Sequence, residues 1–221
     1  MGAKSFLGLP GERLVRGASH ADSPANTLCR LVNDAAEVSA LTAMLCRAFQ
    51  ADAHINWLIR QDERRETAMN ALFRLLLTDM GGELHASADR KSAALWFPPG
   101  GGPGWRAQSR FFLRYLNIAG PARALARGID LKRMDRCHPA APHFYLQLLG
   151  VEPECQRQGH GGALLARLLA LASEADCPVY LETSSPGNVA FYCRHGFVGT
   201  AETVLSGGLR LWSLLWQPGR P

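Results

Sequence analysis

Gln156-Arg157-Gln158-Gly159-His160-Gly161-Gly162 stands between an apolar run, His143 to Val151, and an amphipathic one, Gly161 to Ser173. The first run reads as a strand and the second as a helix, so the stretch joins a strand end to a helix start. Three glycines allow a tight turn and a close backbone approach by a ligand. The helix that follows turns its free N–H groups and the positive end of its dipole toward that turn. A diphosphate can be held there without a lysine, and Arg157 can add charge at the rim. A plain glycine-rich helix start would look similar. A P-loop needs G-x-x-x-x-G-K-[ST], and no such lysine follows. A dinucleotide fingerprint needs a third glycine where Leu164 stands. What remains is Q-x-x-G-x-G, met by Gln156, Gly159 and Gly161.

The flanks add to this. Gly150 interrupts an apolar strand, which suggests a bulge or a close backbone approach. Downstream, Val179 to Thr183 reads as another strand and Asn188 to His195 as a short helix. Tyr192-x-x-x-Gly196-Phe197 then turns a helix end into a strand. Phe197–Thr203 and Leu209–Trp216 can form a hairpin across Ser206-Gly207-Gly208. Strands alternating with helices of this length imply a mixed α/β architecture.

The N-terminal half carries patterns but no chemical motif. Thr27 to Val32 can be a first strand. Asp34 to Glu37 reads as a capping box, followed by Leu41, Met44, Leu45, Ala48 and Phe49 at helical spacing. After a break at 51–56, a second helix is expected from Asp62 to Met80, ended by Gly81-Gly82. Glu83–Ser87 and Ser92–Phe97 look like a hairpin. Residues 98–104 are a loop by composition, and 105–137 are helical in pattern, interrupted at Gly120-Pro121.

In order and spacing, the segment from about 143 to 200 resembles the GNAT superfamily of N-acetyltransferases. The residues that carry the likeness are Val151-x-Pro153-Glu154-x-Gln156, Gln156-x-x-Gly159-x-Gly161, and Asn188 followed by Tyr192-x-x-x-Gly196-Phe197. The resemblance implies one domain over 27–217 with a central, mostly antiparallel sheet of seven strands. That sheet would be splayed between the fourth and fifth strands beside Gly150, with helices on both faces. Residues 104–137 would be a helical insertion. Acetyl-CoA would be the co-substrate, and no metal is expected. Leu149, Gly150 and Val151 would bind the pantetheine arm through the backbone. Gln156, Arg157, Gln158, Gly159, His160, Gly161 and Gly162 would hold the diphosphate, and Asn188 would reach the cofactor. Tyr192 would sit near the thioester sulfur as general acid. A phenol with a pKa of about 10 suits hydrogen bonding to a departing thiolate as much as full transfer. A tyrosine merely packed at a helix end is the alternative.

The acceptor amine must lose a proton, which costs roughly 4 kcal/mol near neutral pH for a primary alkyl amine. Many family members place a carboxylate early in the fourth strand, where this chain has Tyr145. Glu182 is then the first candidate base, because a charge amid Val179, Tyr180 and Leu181 needs a reason. A solvent-facing or arginine-paired Glu182 is the competing reading, and His143 or a water chain past Tyr145 are other bases. Glu152 and Glu154 are expected to shape the loop, and His160 to be a solvent-facing spacer. Cys155 and Cys193 are expected to be incidental. The reaction implied is direct attack of an amine on acetyl-CoA without a covalent enzyme intermediate. Transfer of another acyl group or to a hydroxyl, and a non-catalytic acyl-CoA sensor, remain as alternatives.

Composition bounds the rest. The chain has 221 residues, 47% hydrophobic and 19% charged, which suits a single globular domain. The most apolar helical stretch, Ala163 to Ala172, is broken by Arg167 and too short to span a bilayer. Lys4 and Phe6–Leu9 are followed at once by Pro10, Gly11, Glu12 and Arg13, which is unlike a signal peptide. Residues 1–26 are expected to be a disordered leader. Six cysteines, at 29, 46, 137, 155, 177 and 193, lack metal-site spacing. They read as reduced thiols of a cytoplasmic protein. The net charge of +5 belongs to residues 104–137, with eight basic side chains against two acidic. Arg106, Arg110 and Arg114 share one helical face, expected to be solvated or to meet an acidic partner. No aromatic platform or nucleic-acid module accompanies it, so nucleic acid is not an expected partner. The expected partners are a small-molecule or peptide amine and, as an allowed assembly, a second copy.

Overall fold

The computed structural model describes residues 28–30, 34–102 and 105–219. The expected leader over 1–26 lies outside them. The elements run β1 (Leu28–Arg30), α1 (Ala35–Ala48), α2 (Ala53–Leu58), α3 (Arg65–Asp79), β2 (Glu83–Ser87), β3 (Ser92–Phe97), α4 (Trp105–Ala119) and α5 (Pro121–Asp135). Then come β4 (Phe144–Val151), α6 (His160–Glu174), β5 (Val179–Thr183), α7 (Pro186–Cys193), β6 (Val198–Val204) and β7 (Arg210–Trp216). The strands form one seven-stranded sheet in the order β1-β2-β3-β4-β5-β7-β6. Every neighbouring pair is antiparallel except β4 and β5, which are parallel.

Each face of the sheet has its own core. On one face α1, α3, α4 and α5 bury Leu41, Leu45, Leu72, Phe73, Tyr115 and Ala124 against Ala93, Leu95 and Leu148. On the other, Leu164, Leu165 and Leu168 of α6 and Tyr192 of α7 pack on Trp96, Phe144, Leu146, Val179, Leu181 and Leu214. The alternation along β3 accounts for the division: Ala93 and Leu95 go one way, Ala94 and Trp96 the other.

Several boundaries follow from local capping. Asp34 accepts from Glu37 N and starts α1 as expected. The expected break at 51–56 contains the short helix α2, capped by Asp52, which accepts from Ile55 N at 2.8 Å. The next helix begins at Arg65 and not at Asp62. Asp62 is occupied by Arg60 and by the Arg64 N–H at 3.0 Å, so it closes the turn before α3. Ser185 caps α7 and Pro186 takes its first position, which moves that helix two residues ahead of the expected Asn188.

The pair α4–α5 is built into the molecule. Tyr115 donates to Leu58 O at 2.9 Å. Asp130, only 3% exposed, accepts from Ser206 N at 3.0 Å. Arg127 lies 4.3 Å over the Trp57 ring, and the Trp57 indole donates to Ser206 O at 2.7 Å. These contacts tie α2, α5 and the β6–β7 turn together. The expected solvated arginine face is met in part. Arg110 is exposed, Arg114 is paired with Asp79, and the Arg106 side chain lies outside the described residues.

Candidate active site

β4 and β5 pair only at Phe144–Val179, Tyr145–Tyr180 and Leu146–Leu181. Beyond Leu146 the two strands part, which is the expected splay. Its cause differs from the expected one. The register between β3 and β4 skips Gln147: Leu95 faces Leu148 while Trp96 faces Leu146. The bulge is therefore at Gln147, and Gly150 is in regular register with Ala93. Gly150 serves the other role open to a strand glycine. A Cβ there would stand 2.5 Å from Leu45 Cδ2 and 2.9 Å from Phe49 Cε2, so its absence lets α1 lie against the strand.

The extra residue also changes which face β4 presents. Leu146 packs with α6 and α7, whereas Leu148 packs with α1. Leu149 and Val151 consequently face the start of α6, within 3.9 and 3.5 Å of a Cβ placed on Gly161. Among the described residues the β5-facing edge of Gln147–Val151 has no strand beside it, so its polar groups on that side can meet an extended ligand.

The glycine turn folds as the sequence implies. Gly159 adopts φ +91° at the N-cap of α6, and Arg157 is also left-handed, at φ +61°. Neither glutamine side chain points away from the loop. Gln156 donates to Val151 O at 3.2 Å and Gln158 to Glu154 O at 2.8 Å, so both shape the turn and leave its backbone free. Glu152 is held in a two-pronged pair with Arg47 of α1, both contacts at 2.7 Å. Gly161 has room for a Cβ in ordinary contact, so the protein itself does not demand glycine there.

His160 corrects the sequence reading: it is buried, not a solvent-facing spacer. It is the first residue of α6, close to Asp89 of the β2–β3 turn. Its Nδ1 has no hydrogen-bond partner among the described residues. Asn188 is exposed, with Nδ2 3.4 Å from Thr183 Oγ1. Tyr192 is buried and meets Phe191 and Phe197 edge-on. Burial pushes its phenol well above the usual tyrosine value, so it stays protonated at neutral pH. Cys155 is buried and Cys193 exposed.

Glu182 lies on the opposite face from Leu181, at the point where β4 and β5 separate. Tyr145 and Tyr180 both donate to its carboxylate, each at 3.1 Å. With the one Tyr180 proton used there, the Ser213 hydroxyl, 3.0 Å from the Tyr180 oxygen, is the donor to it. Burial pushes the carboxyl up to about 7, against the opposing pull of the two hydroxyl donors. Tyr145, standing where a carboxylate was expected, thus supports the carboxylate of the next strand. Two members of this cluster were not singled out from the sequence. Ser213 is the register partner of Glu182. His138 packs at 4.6 and 4.5 Å on the rings of Tyr145 and Tyr180.

Residues 104–197 match the model of the acetyltransferase (GNAT) family. The chain has the GNAT fold. A structure of histone acetyltransferase HPA2 and related acetyltransferase from Corynebacterium glutamicum superposes with a TM-score of 0.66 at 23% identity, covering 88% of this chain and 97% of that one. A Pyrococcus horikoshii protein superposes at 0.54 with 9% identity, covering 88% of this chain and 99% of that one. The C-terminal condensation domain of Ebony, solved with beta-alanyl-dopamine, superposes at 0.55 with 10% identity, over 86% of this chain and 99% of that one. At these identities the likeness fixes the fold. The match to the GNAT family model begins at 104, so it takes in α4 and α5, ahead of the segment whose motifs carry the resemblance. No helix among the described residues is long and apolar enough to cross a membrane.

Proposed function

We propose that this chain transfers the acetyl group of acetyl-CoA to a primary amine in a ternary complex, with Glu182 as general base and Tyr192 as general acid. The observation that carries the reading is Glu182 itself: a half-buried carboxylate, gripped by two tyrosine hydroxyls, with a pKa pushed up to about 7, at the mouth of the β4–β5 gap. A base works best when its pKa lies near the working pH.

The two sides of the gap divide the labour. On the α6–α7 side, the N–H groups at the start of α6 suit the diphosphate, and the open edge of Gln147–Val151 suits the pantetheine arm. Arg157 and Asn188 flank that path. On the other side Glu182 takes a proton from the ammonium group of the acceptor. The freed nitrogen lone pair attacks the thioester carbonyl, the C–S bond breaks, the Tyr192 phenol gives its proton to the departing sulfur, and the second proton shed by the nitrogen offsets the one Tyr192 has lost. Holding both substrates in line supplies much of the rate.

The test is a panel of primary amines incubated with acetyl-CoA, read by thiol release and by the mass of the acetylated product. Acetylation of at least one amine, lost in Glu182→Gln, is expected. A parent protein that binds acetyl-CoA but acetylates no amine overturns the reading in favour of a sensor.

A further inference from the structure

We propose that His138 is a second proton acceptor of the acetyl-transfer site, held in its basic tautomer by His143 and the carbonyl of Ala141. This rests on the reading above, and it follows from hydrogen-bond chemistry at the start of β4.

His143 Nδ1 is 2.9 Å from Ala141 O. A carbonyl oxygen can only accept, so His143 carries its proton on Nδ1. In the neutral ring Nε2 is then an acceptor. That nitrogen is 3.3 Å from His138 Nδ1, so His138 must be the donor, with its own proton on Nδ1. The remaining nitrogen, His138 Nε2, carries a lone pair and has no hydrogen-bond partner among the described residues. One backbone carbonyl thus sets two tautomers in series and leaves a base at the far end.

The place of that base gives it a use. The His138 ring lies on Tyr145 and Tyr180, the two residues whose hydroxyls hold Glu182. An ammonium nitrogen that becomes an amide nitrogen sheds two protons. One is balanced by the proton Tyr192 gives to sulfur, and the other must leave for solvent. Glu182 holds one proton at a time, so a second acceptor against the two tyrosines that hold it lets the carboxylate be emptied. His138 is half-buried at the end of α5, which gives it a side toward water. The charged and titratable groups around it are Asp135 of α5, His143, Tyr145 of β4, and Tyr180 and Glu182 of β5. Burial and the neighbouring His143 both favour neutral His138 against the weaker pull of Asp135. The ring is therefore free to accept a proton.

Two measurements decide the matter. Two-dimensional ¹⁵N spectra of the imidazoles at pH 8 should show both His138 and His143 as Nδ1–H tautomers, where an unconstrained ring prefers Nε2–H. Either residue found as Nε2–H overturns the tautomer chain and the proposal with it. In steady-state assays at pH 7, His138→Gln should lower kcat about tenfold or more with the acetyl-CoA KM unchanged, and added imidazole should restore part of it. His143→Phe, which removes the acceptor for Nδ1–H, should lower kcat, and His143→Gln, which supplies a carbonyl acceptor, should recover it. Parent-like rate and pH profile in His138→Gln would overturn the acceptor role while leaving acetyl transfer intact. A parent protein without turnover overturns both.

Discussion

The Tyr145 hydroxyl donates to the Glu182 carboxylate across the seam of β4 and β5, at 3.1 Å, just where the two strands cease to pair. A phenol stands at the place of the carboxylate expected in the fourth strand, and the acid has moved to the fifth. If that acid is the base, Glu182→Gln should lower kcat on the order of 10²-fold. The limb of the parent pH–rate profile that rises near pH 7 should be missing from the variant. A profile unchanged in shape would place the base elsewhere.

The same carboxyl makes a separate claim on stability. Its folded pKa, about 7, lies above the unfolded value near 4.5, so folding favours the protonated form. Its ionisation therefore costs nothing below about pH 4.5, and the cost grows as pH rises to about 7, then levels off. Glu182→Gln cannot ionise. Measured by denaturant unfolding, the stability of the variant relative to the parent should increase between pH 5 and 8, by up to about 3 kcal/mol if the shift is wholly a folded-state effect. A difference independent of pH would show that the carboxylate is not held as described.

Tyr192→Phe removes a hydroxyl from a ring otherwise fixed by Phe191 and Phe197, so the fold should survive. The rate should fall on the order of 10²-fold while acetyl-CoA binding stays close to parental. Equal turnover by the Phe variant would reduce Tyr192 to packing.

Gly161→Asp separates ligand binding from folding. A Cβ fits there, since its nearest neighbours would be at 3.5 to 3.9 Å. The carboxylate would nevertheless face any diphosphate at the start of α6. Saturating acetyl-CoA, at about 100 times its Kd, should stabilise the parent by roughly 2.7 kcal/mol. The variant should unfold like the ligand-free parent and gain much less. Equal gains in both would remove the diphosphate from this turn.

Gly150→Ala tests packing alone. Its methyl group would press into Leu45 and Phe49, and overpacking of this kind costs about 1–3 kcal/mol. Pairing it with Leu45→Val should recover part of the loss. An unaffected Gly150→Ala would mean that α1 shifts freely on the sheet.

Much of this molecule could be read from its residues. The hairpin Glu83–Phe97 and the strand Val179–Thr183 fall where their β-rich runs and turn residues put them. The glycine turn, the helix after it and the position of Glu182 were legible too, because each rests on local chemistry. Gly150 misled because two opposite causes, a bulge and a close neighbour, leave the same mark in a strand. Only the partner strand and α1 distinguish them. The helix at Ala53–Leu58 is too short to show a period, although Asp52 was there to cap it. His138 escaped notice, and His160 was expected at the surface, for a related reason. Their roles depend on what the chain folds back upon, Tyr145 and Tyr180 in one case and the β2–β3 hairpin in the other.

Gln147 acts on β4 as a half-step acts on a staircase. Residues before it serve the core under α6 and α7, and residues after it serve both the core under α1 and the walls of the gap. Were Gln147 an ordinary member of the alternation instead of a bulge, the parity of the last four residues would reverse. Leu148 would be sent toward α6, and Leu149 and Val151 would be driven into Leu45 and Phe49, where only Gly150 now fits. The length of this strand is therefore a coded quantity: substitutions at 147 that keep the bulge leave the phase intact, and deletion of Gln147 removes the bulge while plain alternation returns 148–151 to the same faces.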